Sequence, residues 1–88
     1  MAVALARPRV NPSSVGIAMT LTIEMDREED GRWIAEVREL PGVMVYGSSE
    51  GTALRAAEAL AFRVLAQRLE TEPESEPLGT VAFVPTAA

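Results

Sequence analysis

Apolar and polar positions alternate along residues 18–26. Met19, Leu21, Ile23 and Met25 fall on one side; Thr20, Thr22, Glu24 and Asp26 fall on the other. A period of two, rich in Thr and Ile, predicts a half-buried strand. Residues 27–31, REEDG, predict a turn, because the glycine of Asp30-Gly31 tolerates the positive φ that hairpin turns need. Alternation resumes over residues 32–38, with Trp33, Ala35 and Val37 sharing a face. The two runs read as an antiparallel hairpin.

Leu40-Pro41-Gly42 predicts a second turn. Pro41 pre-sets φ at its second position, and Gly42 supplies the positive φ of a type II turn at its third. Residues 43–47, VMVYG, return as a third strand, with Gly47 read as a turn residue at its end. Ser49 is a candidate helix N-cap, and Glu50 sets a negative charge in the positive first turn. The helix is expected to run to Glu70. Leu54, Ala57, Ala61, Val64 and Leu65 form its apolar stripe, flanked by Ala53 and Leu60. Residues 71–78 are acidic and punctuated by prolines, which predicts an extended connector. Residues 79–85 predict a fourth strand, with Val81 and Phe83 on one face and Pro85 ending it.

The order is β-β-β-α-β, a two-layer α+β domain with one helix on one face of a four-stranded sheet. A last strand returning beside the first would run parallel to it, giving a mostly antiparallel sheet of order 3-2-1-4. Residues 1–16 hold two prolines and no periodicity, and read as a flexible tail before a domain at 17–88. Val3, Leu5 and Val10 would still let that tail pack on a partner.

Composition narrows the chemistry. The chain has 88 residues, with no His and no Cys. One domain is expected, and so short a chain buries only about 60–65% of its unfolded surface, which makes oligomerisation a natural supplement. Without Cys there are no disulfides, thiolate nucleophiles or usual structural zinc sites. Without His the commonest general base is missing. Residues 17–88 carry six arginines against 13 acids, a net charge of −7. Such a body is poorly suited to a polyanion and better suited to a basic partner. No apolar run is long enough to span a membrane, and the opening residues do not read as a signal peptide, so the expected location is cytoplasmic.

At this point the residues resemble a family. Residues 30–37, DGRWIAEV, then Leu40-Pro41-Gly42, then Gly47-Ser48-Ser49 and Ala53 are similar to the N-terminal domain of HicB-like antitoxins. The likeness covers residues 18–85; each motif is short, and their joint order is what is specific. It implies a partial ribonuclease H-like fold without catalytic residues. It also implies binding to HicA, a small RNA-cleaving toxin, and assembly into dimers or tetramers. Family members usually add a C-terminal DNA-binding module. This sequence stops at Ala88, so direct operator binding is not expected. Val43 stands where the family often has Cys, and Gly51 and Thr52 replace acids common in the first helical turn.

Glu24, Asp26, Glu28, Glu29 and Asp30 could serve a metal-dependent nuclease, since hard cations take oxygen ligands. They are bunched at a hairpin turn, whereas a two-metal site draws acids from separate elements, so a solvated turn is preferred. Trp33 could anchor a partner, yet its alternation places it in the packed face. Ser48 and Ser49 lack a base to activate them, so capping is preferred to nucleophilic chemistry. Asp30, Gly31, Pro41, Gly42, Gly47 and Ser49 are expected to be structural turns and cap. Met44 and Tyr46 lie on an expected sheet edge, which invites pairing with another chain. With Arg55 and Arg63 of the helix they are the partner-contact candidates; Arg68 is expected to snorkel at the end of the stripe. No catalytic, cofactor or metal residue is assigned. The expectation is a non-catalytic, antitoxin-type homo-oligomer that binds a basic HicA-like toxin. The alternatives are a metal-dependent enzyme or its remnant, and an orphan oligomer with another ligand.

Overall fold

The computed structural model describes residues 16–87. The expected tail at 1–16, apart from Gly16, lies outside the described residues. Four strands and one helix follow in the order β1 (Ile17–Arg27), β2 (Trp33–Val37), β3 (Met44–Gly47), α1 (Glu50–Thr71) and β4 (Leu78–Ala87). They form an α+β fold with a single mixed sheet of order β3-β2-β1-β4. β1 pairs antiparallel with β2, and β2 antiparallel with β3. β4 lies parallel to β1. The expected architecture and strand order are those observed.

The turns follow the local chemistry. Glu28 N–H donates to Arg32 O at 2.7 Å and Gly31 N–H to Glu28 O at 2.9 Å, closing a three-residue loop at 29–31. Gly31 takes φ +92°, the left-handed conformation that such a loop needs at its last residue. Gly42 also takes φ +92°, and Val43 N–H donates to Leu40 O at 3.0 Å, closing the turn set by Pro41. The helix starts as expected: Ser49 Oγ accepts the N–H of Thr52 at 3.1 Å.

The core lies between the helix and one sheet face. Leu21, Ile23 and Met25 of β1 meet Ala35 and Val37 of β2, with Leu40 and Val43 from the turn beside them. The helix contributes Ala53, Ala57, Ala61 and Leu65, all buried. Three alanines let the helix backbone lie close to the sheet. Ala53, expected on the flank of the stripe, is fully buried as its first residue, while Leu54, Leu60 and Val64 are partly buried.

Two expectations change. Gly47 is the last residue of β3 and has no positive φ, so it is not a turn residue in the sense of Gly42. Its role is space: a Cβ there would lie 2.4 Å from the Ala53 nitrogen and 3.0 Å from the Ala53 Cβ. Pro85 does not end β4, which continues in register to Ala87. A proline survives there because β4 is an edge strand, and its missing N–H falls on the open side.

Candidate functional site

Among the described residues, one face of the sheet has no helix on it. The strand register decides which side chains share that face. Asp26 aligns with Ile34 and Ile34 with Tyr46; Glu24 aligns with Glu36 and Glu36 with Met44. On β4, Ala82 and Val84 align with Thr20 and Thr22. The uncovered face is therefore a row of threonines and acids on β1, flanked by apolar side chains on β3 and β4. Met44 is 48% exposed and Tyr46 45%.

The acids of this face are set unequally. Glu24 and Glu36 stand directly opposite each other on neighbouring strands, an arrangement of like charges that costs stability. Glu24 is relieved by an ion pair with Arg38. The hydrogen bond from Arg38 to Glu24 also holds the guanidinium charged, raising its pKa. Glu36 makes no ion pair among the described residues.

Arg32 anchors the hairpin end of the face. Its Nε lies 2.8 Å from Asp30 Oδ2, and its Cζ lies 4.4 Å from the centre of the Tyr46 ring. The guanidinium thus ties the turn to β3 through a carboxylate and an aromatic face. The Arg32 N–H donates to Asp30 Oδ1 at 3.0 Å, and with the guanidinium it holds the Asp30 carboxyl below its ordinary pKa. Asp30 is therefore a turn residue, as expected, with its side chain engaged by Arg32. Ordinary sequence patterning did not reveal the Arg32–Tyr46 stack, since it joins residues brought together only by β2–β3 pairing.

The acid cluster is spread by the same geometry. Glu24 and Asp26 lie on β1, while Glu28, Glu29 and Asp30 lie at the loop beyond it. Glu24 points to Arg38 and Asp30 to Arg32. Among the described residues, no three acids are grouped to hold a metal ion.

The four partner-contact candidates divide between two surfaces. Met44 and Tyr46 are on the uncovered sheet face. Arg55 and Arg63 are exposed on the helix, on the other side of the sheet, and Arg68 is exposed near its end. Trp33 is partly buried against the core, in the packed position read from its alternation. Ser48 is exposed beside the cap. Glu39 was missed. Its Oε1 accepts the Thr22 N–H at 2.7 Å and its Oε2 the Thr22 hydroxyl at 2.8 Å. These bonds hold the Glu39 carboxyl below its ordinary pKa, the backbone bond most strongly.

Among the described residues, no helix is long and apolar enough to cross a membrane. Comparison with protein-family models, curated proteins and solved structures gave no match.

Proposed function

We propose that this chain is a non-catalytic, antitoxin-type binding protein of the HicB-like kind, acting in the cytoplasm. Its partner is a small basic RNA-cleaving toxin. The observation that supports this best is Glu36, opposed to Glu24 and without an ion pair among the described residues, on an uncovered sheet face beside exposed Met44 and Tyr46. A cationic surface docked there would relieve the like-charge contact and cover both apolar side chains. The overall acidity would speed its approach. Tyr46 supplies the aromatic anchor and the acids supply orientation. The bound domain would block the toxin's RNA-binding surface, neutralising it without chemistry.

The reading is tested by co-expression with the short basic product of an adjoining reading frame. Growth should be rescued and a complex recovered. Tyr46→Ala and Glu36→Arg should weaken that complex, and Arg63→Ala should leave it intact. Absence of both complex and rescue overturns the proposal. Loss on Arg63→Ala alone would move the contact to the helix and overturn the sheet-face assignment.

A further inference from the structure

The β4 edge has the features of a strand built to be paired. It is ten residues long and bears no charged side chain. Long uncharged edges are ordinarily blunted by charges, bulges or covering loops, because their unpaired backbone groups recruit other strands. β3, the opposite edge, has only four residues and shares its face with Glu36.

Backbone parity shows which groups are free. In a parallel ladder, successive residues direct their N–H and C=O groups to alternate sides. Pro85 has no N–H, yet the ladder with β1 continues past it, so Pro85 faces the open edge. Phe83 and Val81 share its direction. Nearer the start, the register with β1 slips between Ile17 and Ala18, leaving Gly79 without an aligned residue. The regular donors on the open edge are therefore the N–H groups of Val81 and Phe83.

We propose that two copies of this chain pair antiparallel through β4, about a two-fold axis at Ala82. Val81 of each copy then stands opposite Phe83 of the other, and each of these pairs exchanges two main-chain hydrogen bonds. Pro85 cannot donate and Gly79 sits at the irregularity, so these bonds form the centre of the ladder. The two sheets become one, with both helices on the same side.

The side chains fit this register. On the helix side, Phe62 is 55% exposed and meets Phe83 edge to face, 5.3 Å between ring centres. Pairing sets the partner's Val81 beside that aromatic pair. On the other side, Val84, 43% exposed, comes opposite the partner's Thr80, a favourable cross-strand match of branched side chains. No acid occurs in residues 77–87, so two copies of an acidic chain meet here without facing carboxylates. The interface leaves Met44 and Tyr46 free, so it does not depend on the toxin-binding reading.

Sedimentation equilibrium of the full chain without any partner protein tests this directly. The wild type is expected to be a dimer at micromolar concentration. Ala82 is exposed, so Ala82→Glu and Ala82→Lys should keep the circular dichroism spectrum of the fold. Each should weaken self-association by roughly a hundredfold, because the substituted side chains meet as like charges at the axis. An equimolar mixture of the two variants should recover the dimer as a heterodimer. Tyr46→Arg, on the β3 edge, should remain dimeric. A monomeric wild type, an undisturbed Ala82→Glu dimer, or a dimer broken by Tyr46→Arg alone would overturn the proposal.

Discussion

Glu39 holds Thr22 by both oxygens of its carboxylate, one on the backbone N–H and one on the hydroxyl. The contact falls where β2 has stopped but β1 continues. Val37 aligns with Ile23, and no β2 residue is in register with Thr22. The Arg38 N–H closes the same gap by donating to Thr22 O at 2.9 Å. A side chain in the turn thus completes a ladder that the short strand leaves unfinished.

Its carboxyl should make stability depend on pH. The folded pKa lies below the ordinary 4.5, so the unfolded chain binds the proton more readily. The stabilisation is full above that ordinary value and is lost as pH falls through the lower folded one. Glu39→Gln should be less stable than wild type at neutral pH, and the gap should close in acid. Urea melts across that range provide the check; a gap constant with pH would contradict this role. The site is exposed, so the effect is small.

Gly42 and Gly47 should respond differently to the same substitutions. Gly42 has a positive φ and open space around its missing Cβ. Gly42→Ala should cost about 1 kcal/mol through backbone strain, and Gly42→Asn should cost less, since Asn tolerates that conformation. Gly47 has ordinary φ and a backbone atom in the way. Gly47→Ala should cost about 2–3 kcal/mol, and Gly47→Asn should cost more. Equilibrium unfolding of the four variants distinguishes conformation from crowding.

Ala57 should resist enlargement even by a more apolar residue. It is fully buried beneath the helix, with Ala53 and Ala61 one turn to either side. Ala57→Leu has to lift the helix from the sheet and should destabilise by about 1–3 kcal/mol. A rise in melting temperature would show that the alanine seam is loosely packed.

Glu36→Arg should separate stability from binding. It replaces a like-charge opposition to Glu24 with an attractive cross-strand pair, and should stabilise the isolated chain by about 0.5 kcal/mol. It should also weaken any complex with a basic partner. A variant no more stable than wild type would show that the Glu24–Arg38 pair already removes the repulsion.

The predictions rest on features of unequal visibility in the sequence. Strand faces, both glycine turns and the Ser49 cap depend on residues close in the chain, so periodicity and turn chemistry revealed them. The strand order was also legible, since short connections force neighbours and a helical return makes β4 parallel to β1. Glu39–Thr22 and Arg32–Tyr46 join residues distant in the chain, and only strand register brings them together. Gly47 looked like punctuation, but the approach of Ala53 gives it a different reason. Pro85 looked like a stop, and became tolerable only because β4 is at an edge. The sequence by itself determined which residues prefer strand, turn or helix, because those preferences are local. The tertiary structure alone decided which acids oppose one another, which side chains meet across the turns and why Gly47 must be small, because these depend on strand register and on how closely the helix approaches the sheet.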